Sequence, residues 1–355
     1  MNVLVLAALA AGAMLAAVAP AAGPAVDPLD VASDPKEPPP LSLRDTGLFG
    51  ADGRSVRADI VAFSPQYPLW SDGASKRRWM RVPAGTSIDA SQPDAWDFPR
   101  GTRLWKEFSR GRRVETRLIE RLADGSWRFV AYAWNAEGTE ATLVPDNGMT
   151  VDVAGTPTGR YEIPSRYDCL GCHEGPAVPV LGFSALQLSA DRDANAPHAE
   201  RASAGAADLR ALVERGLVRN LAPSLVATPP RIPADDPIAR AALGYLHANC
   251  GHCHNDDGAL SSVDMVLSQR VDDPRAGVMR TLESLVNRAP RHRSRLSPTL
   301  ARVLPGNPDA SLVSVKMHTT DPNTRMPPIG VSIVDDEGAA LIDRWIRESN
   351  LEIAP

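Results

Sequence analysis

From Lys76 to Ile163 apolar and polar side chains alternate with a period of two, and the alternating residues are largely branched or aromatic. Trp79-Met80-Arg81-Val82 stops at Pro83-Ala84-Gly85, and Thr102-Arg103-Leu104-Trp105-Lys106-Glu107-Phe108 stops at Ser109-Arg110-Gly111. Val114 to Arg121 alternates again, and Ala123-Asp124-Gly125 turns the chain back into Trp127-Arg128-Phe129-Val130-Ala131-Tyr132-Ala133-Trp134. This pattern predicts a half-buried antiparallel sheet with hairpin connections. Six of the seven tryptophans lie between Trp70 and Trp134, which reads as the aromatic core of that sheet rather than as an aromatic ligand box.

Past the sheet the period becomes helical. Ala206 to Val218 places Leu209, Leu212, Val213 and Leu217 on one face, with Gly216 and Asn220 marking its end. A Pro-rich stretch, Leu221 to Pro237, leads to Asp235-Asp236-Pro237, a cap and first-turn proline for a helix from Ile238 to Asn249. Asp335-Asp336-Glu337 opens a last helix bearing Leu341, Ile342, Trp345 and Ile346. Upstream, Tyr67-Pro68-Leu69-Trp70-Ser71-Asp72-Gly73 reads as an ordered loop. The fold class expected is α+β, an N-terminal antiparallel sheet domain followed by an all-α domain.

A chain of 355 residues is long enough for two or three domains. Its net charge of −5 argues against nucleic acid as a partner. Val3 to Val18 is an apolar run followed by Ala19-Pro20-Ala21, so residues 1–21 read as a secretory signal peptide and residues 22–40 as a linker. Only the amino terminus supplies positive charge ahead of that run, and an uncleaved anchor is the competing reading. No other segment is long and apolar enough to span a bilayer.

All four cysteines fall in two Cys-x-x-Cys-His runs, Cys169-Leu170-Gly171-Cys172-His173 and Cys250-Gly251-His252-Cys253-His254. That run is the attachment signature of c-type haem: two thiols add across the vinyl groups and the adjacent histidine becomes an iron ligand. The expected cofactors are two covalent haem c groups held by Cys169, Cys172, His173, Cys250, Cys253 and His254. Structural zinc is the alternative, but it usually takes two pairs about 15–20 residues apart, far closer than these. His252 is expected to stand aside from the iron, and His247 to be a surface or haem-edge residue.

The second run, with Arg325-Met326-Pro327-Pro328-Ile329-Gly330 and the final helix, resembles class I cytochrome c domains, where a Met-Pro loop supplies the distal thioether. The resemblance implies Met326 as that ligand, with Met317 and His318 as competitors nearby. Trp96-Asp97-Phe98-Pro99-Arg100-Gly101-Thr102 through Lys106-Glu107-Phe108, with the first run at the end of the sheet, resembles the cytochrome P460 family. In its catalytic members the haem has an open distal face and a cross-linked lysine. Lys106 matches that lysine by position, although a strand lysine is commonly a solvated charge. Distal candidates for a closed first site are Met80, Met149, His198 and His318.

The whole order resembles a family of secreted dihaem c-type cytochromes associated with quinoprotein-type dehydrogenases. The resemblance divides the chain into a β-rich haem domain over 41–190, a helical and Pro-rich connector over 191–234, and a cytochrome c-like domain over 235–355. It implies a periplasmic electron carrier that accepts electrons from a quinoprotein-type dehydrogenase and passes them to a respiratory acceptor. An enzyme with an open first haem, either a P460-like oxidase of a small nitrogen compound or a dihaem peroxidase, is the alternative.

Overall fold

The computed structural model describes residues 27–174, 178–200, 205–234, 236–258, 260–291 and 300–351. The segment read as a signal peptide lies outside the described residues. In chain order the strands are β1 (Val61–Phe63), β2 (Ser75–Arg81), β3 (Ile88–Asp89), β4 (Arg103–Arg110), β5 (Arg112–Arg121), β6 (Trp127–Trp134), β7 (Ala141–Leu143), β8 (Met149–Asp152), β9 (Arg160–Ile163) and β10 (Val218–Arg219). The helices are α1 (Arg166–His173), α2 (Leu209–Glu214), α3 (Pro223–Ala227), α4 (Pro237–Asn249), α5 (Pro274–Leu285), α6 (Leu312–Met317) and α7 (Asp336–Glu348). The architecture is α+β, as the periodicities predict.

Six strands form one antiparallel sheet in the order β1-β2-β4-β5-β6-β7. Between β4 and β5, Arg110 pairs with Arg112, so Gly111 alone makes the turn, and its φ of 68° is one that glycine adopts without a Cβ penalty. Trp79, Trp105, Leu118 and Tyr132 lie on one face under Leu43, Leu48 and Phe49, which bears out the aromatic β core. On the other face Met80 and Leu104 pack with Phe183, Leu186, Leu209 and Leu212 at one end. Phe108, Ala131 and Ala133 pack with Tyr161 and Ile163 at the other.

Two segments read as connections belong instead to this body. Within 191–234, Ala196, Leu209, Leu212, Val218 and Ile232 are buried in the sheet's core, because the stretch carries enough apolar side chains to cover the open end of that face. The helix read over Ala206–Val218 is shorter: Asp208 caps it by accepting the Ala211 N–H at 2.8 Å, Gly216 turns left-handed at φ 69°, and Val218 joins β10 beside β3. Residues 27–40 are tied down as well, since Arg81 donates to Asp30 at 2.8 Å and to the Leu29 carbonyl at 2.8 Å.

Asp236 caps α4 by accepting the Ile238 N–H at 2.9 Å, with Pro237 in the first turn, as read from the sequence. Its apolar side, Ala242, Tyr245 and Leu246, packs on Ile342, Trp345 and Ile346 of α7. The approach is tight enough that a Cβ on Gly338 would lie 2.5 Å from the Tyr245 ring, and one on Gly244 would lie 2.0 Å from the ring of Tyr67. The helix leading into the second cysteine run is therefore wedged between α7 and a loop of the sheet-bearing half.

Candidate functional site

The first cysteine run is a helix in its own right, which the β-rich reading of its surroundings did not anticipate. Ser165 Oγ accepts the Asp168 N–H at 3.1 Å and the Asp168 carboxylate accepts the Ser165 N–H at 2.9 Å, a reciprocal cap that starts α1. Cys169 and Cys172, three residues apart, then share one side of the helix. His173 follows them and lays its ring against Phe129 of β6, centroids 4.8 Å apart. Its Nδ1–H donates to the Pro179 carbonyl. That bond fixes the tautomer and leaves Nε2 with a free lone pair, the usual state of a metal-ligating histidine. Burial holds the ring's pKa down at about 4, so it is neutral at physiological pH.

The second run prolongs α4 by one turn, with the His254 N–H on the Cys250 carbonyl at 2.8 Å. Gly251 is required there, because a Cβ would fall 2.7 Å from the His247 carbonyl. His254 is buried, burial lowers its pKa to about 4, and its Nδ1 has no hydrogen-bond partner among the described residues. Burial pushes the Cys250 thiol up to about 12. His247, expected at a surface or haem edge, instead uses Nδ1 to accept the Gln269 N–H at 3.0 Å.

The two runs, far apart in sequence, converge. Ligand atoms of Cys172, His252 and Cys253 all lie within 4.8 Å of one another, and Cys253 Sγ is 3.6 Å from the Gly171 carbonyl. A hydrogen bond to Cys253 and burial raise the Cys172 thiol to about 12, while the same bond lowers Cys253. His252, read as standing aside, is buried within this contact. No cysteine is in a disulfide. Chemically the cluster offers two soft sulfurs and an imidazole, one ligand short of a structural zinc set.

Met326 borders a cleft shared with Trp70, Tyr245, Asn249, Met317 and Pro327, so two thioethers line it. Three residues on, Ile329 Cδ1 is 3.0 Å from where a Cβ on Gly171 would stand, which carries the Met-Pro loop to the first run. The four distal candidates for the first site are engaged elsewhere or lie at the surface. Met80 is fully buried in the core, and Met149 is exposed on β8. His198 holds Asp335 at 2.7 Å and Glu337 at 3.3 Å, one through each ring nitrogen, and His318 holds Asp343 at 3.1 Å.

Lys106 is not a solvated strand lysine. Burial and the charges of Arg78, Lys76 and Arg117 press its ammonium well below the usual lysine range, and its own charge acts on His173.

The residues that hold these parts together carried no recognisable chemistry in the sequence. The Asn249 carboxamide, beside Cys250, accepts the Trp70 N–H at 2.7 Å and donates to the Tyr245 carbonyl at 3.0 Å. Trp70 Nε1 donates to the Ile333 carbonyl at 3.3 Å, and the Asp72 carboxylate takes the Ser332 N–H, the Ser332 hydroxyl and the Ile333 N–H at 2.6–3.1 Å. The loop Tyr67–Gly73 thus fastens the start of the second run to the segment that follows Met326. Asp72→Ala is expected to cost about 1–3 kcal/mol of local stability. The Ser332 and Ile333 amides should then exchange their hydrogens at least about fivefold faster than in the parent; unchanged exchange would remove Asp72 from this role.

Among the described residues no helix is long and apolar enough to cross a membrane. Set against protein-family models, curated proteins and solved structures, the chain finds no match in any of the three.

Proposed function

We propose that this chain is a periplasmic dihaem c-type cytochrome that transfers electrons between redox proteins. Cys169 and Cys172 would hold one haem with His173 as ligand; Cys250 and Cys253 would hold the second, with His254 and Met326 as ligands. The observation that carries the reading is the convergence of two Cys-x-x-Cys-His turns on one place, each with a neutral histidine, half-buried at His173 and buried at His254, whose ring has a nitrogen to offer. A bound haem supplies a one-electron couple at each site. The chain's own contribution is to fix the His173 ring with Phe129 and Pro179, to bury His254, and to fasten the start of the second turn, through Asn249, Trp70 and Asp72, to the segment that follows Met326. A quinoprotein-type dehydrogenase as donor and a respiratory protein as acceptor complete the proposal.

The engagement of Met80, His198 and His318 elsewhere, and the exposure of Met149, favour a first site without a sixth protein ligand. That is the arrangement the catalytic alternative needs. The cluster of Cys172, His252 and Cys253 favours a different second reading, a metal ion held by sulfur and imidazole, which would use the same thiols and so exclude the first. Expression with export and haem-attachment machinery separates these. Mass spectrometry and pyridine haemochrome absorbance are expected to give two covalent haems per chain. A colourless chain that binds zinc in a one-to-one ratio would replace the haem reading with the metal one. A two-haem chain whose first haem is high-spin and takes up cyanide would move the assignment from carrier to catalyst.

A further inference from the structure

Three cations stand shoulder to shoulder on neighbouring strands of the main sheet. Arg78 of β2 is directly opposite Lys106 of β4, and Lys106 is directly opposite Arg117 of β5. Lys76, two residues before Arg78 on β2, falls on the same face by the alternation of a strand. Like charges placed opposite one another weaken strand pairing. This face is also withdrawn from water, flanked by one apolar cluster around Met80 and Leu104 and another around Phe108 and Ala131.

The acids nearby are committed to two of the four cations, Arg117 and Arg78. Glu115 is held by Arg117 at 2.6 Å and by the Tyr161 hydroxyl at 2.8 Å. Glu200 is held by Arg78 and by the Ser64 hydroxyl at 3.2 Å, its other oxygen buried without a partner. Lys76 donates to the Leu69 carbonyl at 2.6 Å. Lys106 makes no hydrogen bond or ion pair among the described residues, and Glu200, whose charge acts on it, is already held by Arg78; its ammonium rests 4.8 Å from the Phe108 ring centroid. The row ends beside the first cysteine run, for Arg117 is opposite Ala131, and Phe129, two residues earlier on that strand, is the ring against which His173 packs.

We propose that Lys106, flanked by Arg78 and Arg117, is an anion site adjoining the Cys169–His173 turn and takes a carboxylate or a small inorganic oxyanion. The carboxylate source is a propionate of a haem attached at that turn, which rests on the function proposed above; the other source is a free oxyanion, for which sulfate is the probe.

The test uses the full chain as purified, with its haem content counted first. Thermal melts are run in sodium sulfate against sodium chloride at equal ionic strength, for the parent, Lys106→Gln and Lys106→Arg. A free-oxyanion site predicts a saturable rise in melting temperature with sulfate, a half-saturating concentration at least about tenfold higher in Lys106→Gln, and recovery in Lys106→Arg. A propionate site predicts no response to sulfate. In its place, Lys106→Gln lowers the midpoint potential of one haem and leaves the other unmoved, because loss of a nearby cation favours the ferric state. Sulfate stabilisation in a chain without haem would uphold the anion site while removing the haem reading. If haem is present but neither the sulfate response nor a single-haem potential shift follows from Lys106→Gln, or if haem is absent and sulfate has no effect, the anion site is overturned.

Discussion

Met326→Ala is expected to abolish the low-spin, thioether-ligated signal of one haem and to lower its potential by on the order of 0.1–0.2 V, a fraction of the roughly 0.8 V that axial ligands span. A thioether favours the ferrous iron, and its removal leaves water or an open position. The change should leave the fold nearly intact, because Met326 is 36% exposed and carries little of the core. Met317→Ala provides the contrast. Met317 lines the same cleft but packs, half-buried, against the cluster of α4 and α7, so its truncation should cost about 1–3 kcal/mol of stability. If the low-spin signal survives in Met326→Ala and is lost in Met317→Ala, the ligand assignment passes to Met317. Redox titration with electron paramagnetic resonance reads both outcomes.

The second large effect concerns the cysteine pairs. Cys250→Ala with Cys253→Ala is expected to halve the covalent haem per chain, leaving only the spectrum of the site at His173. The converse pair, Cys169→Ala with Cys172→Ala, should leave only the Met326-linked signal. Because Cys172 and Cys253 are in contact, each double variant should also shift the surviving haem's absorption and potential relative to the parent. Spectra of the two variants that sum to the parent spectrum without any shift would show the sites to be independent and would count against their adjacency.

Much of the architecture was legible from local rules. The four central strands β2, β4, β5 and β6, the turn at Gly125, the cap and proline of α4 and the Asp335-capped final helix each announced themselves within a few residues, whereas the edge strands β1 and β7 did not. The four cysteines and two histidines stood out as a candidate site for the same reason, since their spacing is a local pattern. What escaped was every relation between distant segments. His252 looked idle because its partner, Cys172, lies in another part of the chain. Asp72 and Trp70 sat in an ordered loop whose purpose depends on Asn249 and Ile333. The segment 191–234 was short of long periodic runs, so it read as a connector, yet its scattered apolar residues complete the core. Lys106 looked like any strand lysine because register, not sequence, sets Arg78 and Arg117 against it.

The contact between the two cysteine turns also dictates an order of assembly. In the folded chain Cys172 is tied to Cys253, Cys250 is half-buried with its thiol pushed up to about 12, and the second turn is fastened through Asn249 to the loop from Tyr67 to Gly73. Thiols raised as those of Cys172 and Cys250 are poor nucleophiles in the folded chain. On the dihaem reading, maturation must therefore run ahead of folding: each turn is loaded while the chain is still open, and closure of the sheet-bearing half onto α4 comes last.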